Sequence, residues 1–170
     1  VAESTSAIIP IGAWILERAC HDACSWPDDI SIAVNVSAVQ LQQSSFSETV
    51  RETLEKTGLP PHRLEMEITE TAFLGNCNET LRTLKAIREL GVRIAMDDFG
   101  TGYSSLSYLQ NFPFDKIKLD RSFIFSNDQP ESRAIISAVA GIGESLGLKT
   151  CAEGVETKEQ FNIARFEGYT

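Results

Sequence analysis

Five short apolar stretches of this sequence each run into an oxygen- or amine-bearing residue and then into a loop. They are Ile30–Val34 before Asn35, Leu64–Met66 before Glu67, Val92–Met96 before Asp97 and Asp98, Ile117 before Lys118 and Asp120, and Leu148–Ala152 before Glu153. If the stretches are neighbouring parallel strands, their polar groups gather along one rim, where the carboxyl ends of such strands lie together. A rim of carboxylates with one amide and one lysine suits a divalent-cation site for phosphate chemistry.

Helical patterns alternate with these strand patterns along the whole chain. The predicted strands are Ser31–Val36, Arg63–Thr69, Val92–Met96, Asp115–Leu119 and Leu148–Ala152, and the predicted helices cover 11–23, 45–57, 76–90, 104–110, 131–146 and the segment after Thr157. Ser45 with Glu48, and Thr157 with Gln160, have the spacing of capping boxes at helix starts. The alternation predicts an α/β fold with parallel strands and helical crossovers.

Two α/β architectures fit this alternation, a doubly wound open sheet and a (β/α) barrel. The barrel is favoured because every predicted strand carries a polar residue near its carboxyl end, whereas a doubly wound sheet concentrates its site at one switch point. A closed barrel needs about eight strands, and the sequence shows five. We therefore expect residues 1–170 to form a single, partial TIM-like domain. An open arc of five strands would expose apolar surface, so we expect the missing strands to be supplied from outside this sequence.

Composition narrows the classes of function. The chain of 170 residues carries a formal net charge of −9, which argues against binding a DNA or RNA polymer but not against a phosphate-bearing substrate held through metal ions. No apolar run is long enough to span a membrane, and the start lacks a signal segment. The four cysteines, with Cys20 and Cys24 four apart on a predicted helix, do not have zinc or disulfide spacing and are expected to be packed thiols.

Asp97 and Asp98 begin the sharpest local signal, which continues as Phe99, Gly100, Thr101 and Gly102. Two adjacent carboxylates at a strand end repel each other unless a cation neutralises them. The glycines permit a tight backbone path beside such a cation. The alternative is a solvated acidic loop.

Three further residues of the first half fit the same rim. Glu67 shares its strand parity with Glu65 but lies nearer the strand end, so Glu67 is the expected metal ligand. Asn35 offers an amide oxygen that adds no charge to a cation site, although an asparagine there also suits a turn or a cap. Glu70 lies past its strand, where it either braces a loop or is a surface carboxylate.

The second half supplies a lysine and further acids. Lys118 lies between two apolar residues of a strand, which is unusual unless it is paired or functional, so it either steadies a water or phosphate oxygen or forms a salt bridge to Asp120 or Glu67. Glu153 directly follows the last predicted strand and is expected to be a metal ligand. Glu156 precedes the cap at Thr157, where a carboxylate also favours a helix N-terminus.

Several segments together resemble the EAL domain family, the bacterial cyclic di-GMP phosphodiesterases. The segments lie at 97–106, at 34–41 around Asn35, at 64–70 around Glu67, at 118–123 around Lys118 and at 152–157 around Glu153, and even Ile11-Gly12 with Trp14 resembles the stretch after the family's name motif. The resemblance covers essentially the whole chain. It implies an EAL-type (β/α) barrel with one reversed strand, in which two Mg²⁺ or Mn²⁺ ions serve hydrolysis of cyclic di-GMP to linear pGpG.

The resemblance also implies a role for each site residue. Asn35, Glu67 and Asp97 bind one metal, and Asp97 bridges to a second metal that Asp98 and Glu153 help to hold. Lys118 positions the attacking water. Glu70 anchors the loop from Asp98 to Leu106, whose Phe99, Gly100, Thr101 and Gly102 support the site together with Asp120 and Glu156.

Two departures from the family pattern are expected to matter. The chain begins after the Glu-Ala-Leu motif, whose glutamate is a metal ligand, and stops before the closing Gln-Gly segment, so three family strands are missing and metal binding by this chain alone should be weaker. Alternatives are a receptor that binds cyclic di-GMP without cleaving it, and a truncated product that folds by exchanging strands with a second copy. The family further implies a homodimer, GGDEF or sensory domains in the parent protein and a cytoplasmic location.

Overall fold

The computed structural model describes residues 2–73, 77–101, 109, 112, 114–126 and 129–170. In this part of the chain the strands are β1 (Ile32–Asn35), β2 (Leu64–Thr69), β3 (Arg93–Phe99), β4 (Lys116–Leu119) and β5 (Lys149–Ala152), and the helices are α1 (Ile8–Ala23), α2 (Ala38–Leu41), α3 (Phe46–Thr57), α4 (Cys77–Glu89), α5 (Arg121–Phe125), α6 (Pro130–Leu146) and α7 (Lys158–Phe166), with 3-10 turns at Pro61–Arg63 and Glu70–Phe73. The chain divides into two compact units, Val1–Ile94 and Ala95–Thr170, and the boundary lies inside β3.

The first unit is built on the parallel pair β1 and β2. Ile32 lies opposite Leu64 at one end of the pair, and Asn35 lies opposite Glu67 at the other. Side chains alternate between the faces of a strand, so Val34 and Met66 are buried while Asn35 and Glu67 share the other face. Helix α3 packs against both α1 and α4, and α1 also contacts β1.

A buried arginine fixes the segment between α1 and β1. Arg63 is only 3% exposed, and its guanidinium donates hydrogen bonds to the backbone carbonyls of Ile30, Ala23, Trp26 and Pro27. Two of these bonds are 2.8 and 2.9 Å long, to Ile30 and Ala23. A planar guanidinium with five donors suits a loop that brings several carbonyls to one point.

The second unit holds the remainder of β3 with β4 and β5, again all parallel. Ala95 lies opposite Lys116, and Lys118 lies opposite Cys151. Helix α6 contacts β4 and β5, and a Cβ atom at Gly143 would lie 2.3 Å from Thr150 Cγ2, so this approach requires glycine. Ile117 and Ile136 are completely buried.

Local sequence explains where several helices begin and end. The capping box predicted at Thr157 and Gln160 is present, and an unpredicted one joins Ser37 and Gln40 at α2. The capping box predicted at Ser45 is wrong. Ser45 has helical backbone angles (φ −86°, ψ −4°) and makes no capping bond, because a cap residue needs an extended backbone to turn its oxygen onto the helix.

All five predicted strands are present, with small shifts at their ends. The largest shift is at β3, which continues to Phe99, so Asp97 and Asp98 lie inside the strand and not in a loop after it. The short helices α2 and α5 were not predicted. Trp14, on α1, is 67% exposed. The helix predicted over 104–110 lies almost entirely outside the described residues.

The structure also shows the burial of two cysteines and the length and apolar character of the helices. Cys20 is buried and Cys24 is exposed, with its thiol donating to the carbonyl of Cys20. Burial raises the pKa of the Cys20 thiol to about 11, as expected for a packed thiol. Among the helices that the structure describes, none has the length and apolar character needed to cross a membrane.

Candidate metal centre

Three carboxylates of the second unit converge on one point. Ligand oxygens of Asp97, Asp98 and Glu153 all lie within 4.8 Å of one another. The ammonium of Lys118 joins the cluster, with Nζ 3.0 Å from Asp97 Oδ1 and 2.5 Å from Glu153 Oε1. Three carboxylates against one ammonium leave an excess of negative charge, and hard oxygen donors are the ligands that Mg²⁺ and Mn²⁺ take. The donor set therefore fits a divalent cation.

An irregularity in β3 lets two adjacent aspartates serve one site. Neighbouring side chains of a regular strand point to opposite faces, which would separate Asp97 from Asp98. The pairing register with β4 shifts between Met96 and Phe99, and Asp98 has a left-handed backbone with φ +52°. Such a bulge re-aims a side chain, and an aspartate tolerates the left-handed region better than most residues. The bulge accounts for both carboxylates lying in the cluster.

A tight turn follows the two aspartates. The carbonyl of Asp98 accepts hydrogen bonds from Thr101 N at 3.3 Å and from Thr101 Oγ1 at 2.8 Å. Gly100 has φ +98°, and Phe99 is buried with 6% exposure. Of the loop predicted from the sequence, Gly102 and the residues to Leu106 lie outside the part that the structure describes.

Lys118 is held on a buried strand between two fully buried apolar residues, and it is itself 9% exposed. The sequence left a salt bridge to Asp120 or Glu67 as its structural alternative. The structure places Lys118 in ion pairs with Asp97 and Glu153, the proposed metal ligands. A buried ammonium between two carboxylates lowers the electrostatic cost of the cluster when no cation is present.

Asp120 takes two roles at the end of β4. Its side chain caps helix α5 by accepting a hydrogen bond from Ser122 N at 2.9 Å. Hydrogen bonds from the Ser122 side chain first, and then from its backbone N, lower the pKa of Asp120. The negative charge of the same carboxyl helps to raise the pKa of Asp98. The sequence assigned Asp120 a supporting role and named it as an alternative salt-bridge partner of Lys118.

The pKa of Asp98 is raised, first by burial and then by the negative charges of Asp97, Asp120 and Glu153. Asp120 also acts in the same direction as the acceptor of a hydrogen bond from the protonated Asp98 carboxyl, because this bond favours the protonated form of Asp98. Asp98 therefore takes up a proton more readily than an ordinary aspartate when no cation is bound. A divalent cation would reverse this preference by favouring the ionised form.

Glu153 and Glu156 flank a sharp turn after β5. The backbone N of Glu153 donates to Leu119 O at 3.2 Å, and Gly154 follows with φ +68°. Glu156 is exposed, and its backbone N donates to Gln160 Oε1 at 2.8 Å, inside the cap of α7. The structure thus shows Glu156 at the helix start and gives its side chain no place in the carboxylate cluster.

The first unit places its predicted site residues on β2 and beside it. Asn35 and Glu67 lie opposite each other in the register of β1 and β2, Asn35 exposed and Glu67 half-buried. Glu65 is deeper, with 5% exposure, and its Oε2 lies 4.0 Å from Arg93 Nε. Glu70 is 7% exposed in the 3-10 turn after β2, so the interpretation of Glu70 as a surface carboxylate is wrong.

Comparison with known proteins identifies the class. The EAL domain family model matches residues 1–168, and the chain belongs to the EAL domain family. EAL domains are TIM-barrel-like, so the α/β fold class predicted from the sequence is confirmed.

Three similar proteins show how far the likeness extends. The cyclic di-GMP phosphodiesterase NbdA of Pseudomonas aeruginosa is 42% identical over 172 residues, which covers 97% of this chain and 22% of NbdA. The solved structure of the MucR phosphodiesterase of the same organism in complex with c-di-GMP matches with a TM-score of 0.94 and 39% identity, over 99% of this chain and 70% of that one. The manganese/cy-diGMP complex of Klebsiella pneumoniae BlrP1 matches with a TM-score of 0.85 and 30% identity, over 99% of this chain and 43% of that one. The chain spans about a fifth of the length of the curated relatives that it matches.

Proposed function

We propose that this chain is part of an EAL phosphodiesterase domain that hydrolyses one phosphodiester bond of cyclic di-GMP and releases linear pGpG. The convergence of Asp97, Asp98 and Glu153 around Lys118 carries the proposal, because it supplies oxygen ligands and a cation within one small volume. Membership of the EAL family and the likeness to phosphodiesterases crystallised with c-di-GMP support the choice of substrate.

The proposed cofactors are two divalent cations, Mg²⁺ or Mn²⁺. A manganese complex among the similar structures supports this class of ion. When bound, such ions neutralise charge on the phosphate and lower the pKa of a bound water. Asp97 is proposed to ligate both ions, with Asp98 and Glu153 completing the second site. Asn35 and Glu67 are proposed as further metal ligands because they match the family pattern.

Lys118 is proposed to orient the attacking water and to steady a phosphate oxygen. The ammonium carries three N–H donors and forms ion pairs with Asp97 and Glu153. It therefore lies beside two ligands of the proposed second site. A fixed ammonium needs no reorganisation as negative charge develops on the phosphate. Glu70 is proposed to anchor the loop that begins at Asp98. Phe99, Gly100, Thr101, Gly102, Asp120 and Glu156 are proposed as supporting residues.

The proposal extends to the setting of the domain. We infer that residues 1–170 are one partial EAL domain of a longer protein, since relatives of several times this length contain the matching segment. MucR is named a bifunctional diguanylate cyclase and phosphodiesterase, which supports a GGDEF-type cyclase or a sensory domain as a neighbour. A homodimer and a cytoplasmic location are proposed on the same family grounds.

The test is to incubate the full-length protein with cyclic di-GMP and Mn²⁺ and to measure pGpG by chromatography. The wild type is expected to form pGpG, and Asp97→Asn is expected to abolish turnover while retaining most nucleotide binding. Asp22→Asn on α1 is the matched control. Asp22 forms an exposed ion pair with Arg18, and its substitution removes the same charge at a position distant in sequence from the cluster. A full-length protein that binds cyclic di-GMP but gives no product would instead be a receptor, and the enzyme proposal would fail.

A further inference from the structure

We propose that the short helix α5, and in particular Phe123 and Arg121, acts as a brace that sets the positions of Asp98 and Glu153 relative to each other. The inference rests on the proposed metal site and adds positioning residues to it. It is carried by contacts of α5 with the two turns that follow these ligands, all within the second unit.

Backbone hydrogen bonds connect the start of α5 to both ligand-bearing strands. Asp120 N donates to Phe99 O, directly after Asp98, and Glu153 N donates to Leu119 O at 3.2 Å. Asp120 then caps α5 by accepting a hydrogen bond from Ser122 N at 2.9 Å. The residues that enter α5 therefore touch the segments carrying Asp98 and Glu153 on either side.

Two left-handed glycines pack directly on α5. A Cβ atom at Gly100 would lie 2.8 Å from Cε2 of the Phe123 ring, and a Cβ atom at Gly154 would lie 2.6 Å from Arg121 Cβ. Gly100 is two residues from Asp98, and Gly154 is next to Glu153. Both turns thus lie so close to α5 that a Cβ atom at either glycine would force the turn or its contact on α5 to move.

The chain contains glycines with the same backbone and no such contact. Gly154 and Gly147 both have φ +68°, yet nothing lies within 4 Å of a Cβ atom at Gly147. Alanine at either position carries the same left-handed strain, of order 1 kcal/mol. Only alanine at Gly154 must also displace α5. The pair therefore separates the effect of backbone strain from the effect of the brace.

The experiment compares Gly154→Ala with Gly147→Ala in the full-length, metal-stripped protein, using calorimetric titration with Mn²⁺ and thermal unfolding. Gly154→Ala is expected to weaken Mn²⁺ binding by about tenfold or more, as changes to groups that orient metal ligands do. Gly147→Ala is expected to lower the unfolding temperature while keeping the wild-type affinity for Mn²⁺. Equal Mn²⁺ affinity in the two variants overturns the brace.

Substitutions of Phe123 test the brace without changing a glycine. They decide the question even if the Gly154→Ala protein fails to fold. Phe123→Ala removes the ring from Gly100 and is expected to weaken Mn²⁺ binding, whereas Phe123→Leu keeps much of that contact and should restore most of the affinity. If Phe123→Ala binds Mn²⁺ as the wild type does, α5 does not position the ligands. A wild-type protein that binds no Mn²⁺ overturns the proposed metal site and the brace together, whereas normal wild-type binding with unchanged variants overturns the brace alone.

Discussion

Asp98 has a left-handed backbone, and the pKa of its carboxyl group is raised by burial and by three neighbouring acids. Because the folded-state pKa lies above the ordinary value, folding favours the protonated form. The stability that this preference contributes is fully present in acid and is lost as the pH rises through the folded-state pKa. At neutral pH and without metal, the ionised Asp98 thus destabilises the fold that presents it to a cation.

Asp98→Asn is expected to stabilise the metal-free protein at pH 7 and to weaken Mn²⁺ binding. Asparagine removes the charge and still tolerates a left-handed backbone, so a rise of about 2–4 °C in unfolding temperature is expected. The gain should be smaller at pH 4 than at pH 7, because acid protonates the wild-type carboxyl. Asp98→Ala is the control, because it removes the same charge but carries the backbone strain. Thermal scans in EDTA at both pH values check this, and an asparagine variant less stable than the wild type at pH 7 contradicts it.

Lys118 allows a prediction that separates chemistry from binding. Lys118→Met keeps the aliphatic stem but removes the ammonium between Asp97 and Glu153, so turnover should fall by about 10²–10⁴-fold with a smaller change in nucleotide affinity. Lys116→Met, two residues earlier on β4, is the control and should keep its turnover. Single-turnover rates and equilibrium binding of cyclic di-GMP measure the two effects. Unchanged turnover in the Lys118 variant would remove this residue from the mechanism.

At the scale of secondary-structure elements, the stability of the first unit depends on how its loops are closed. The segment between α1 and β1 turns four carbonyl groups onto Arg63, a side chain that no periodicity identifies as internal. Buried carbonyls that lose their donor keep the full cost of leaving water. This loop is therefore specified by one residue that is more than thirty positions away in the sequence.

Arg63→Met is expected to lower the free energy of unfolding by about 2–4 kcal/mol, because it leaves these carbonyls without the guanidinium. The control is Arg51→Met on α3. Arg51 also contacts two partners, Glu48 and Glu55, but its side chain is 45% exposed and water replaces both ion pairs. Chemical denaturation of both variants measures the difference. Equal losses in the two variants would contradict the structural role of Arg63.

For the whole molecule, the proposed metal site predicts that stability and activity depend on a divalent cation. The carboxylate cluster is assembled only in the folded protein, so Mn²⁺ at about 100 times its Kd should add about 2.7 kcal/mol to the stability of the full-length protein. EDTA should abolish both this gain and turnover. Ca²⁺, which takes more ligands in a looser geometry, should support turnover poorly. Full activity in Ca²⁺ would contradict the two-metal proposal, and Asp97→Asn should show no Mn²⁺-dependent gain.

The positions of the strands and of their polar ends followed from the sequence alone, because both depend on local patterns. Apolar stretches bounded by Gly58, Gly91 and Gly147 predicted the alternation of strands and helices, and the residue after each stretch predicted Glu67, Lys118 and Glu153 as candidates. Capping was less predictable. Thr157 caps its helix and Ser45 does not, since the backbone angles that decide this are set by the preceding turn.

Only the tertiary structure decided how the acids are used. The sequence placed Asp97 and Asp98 after their strand, whereas the left-handed Asp98 lies inside β3, in a bulge that arises from pairing with β4. Lys118 has Asp97 and Glu153 as partners because of the distances between strands, which no spacing along the chain encodes. Periodicity along one strand fixes which residues reach its end, but a bulge and an ion pair depend on what the neighbouring strand presents.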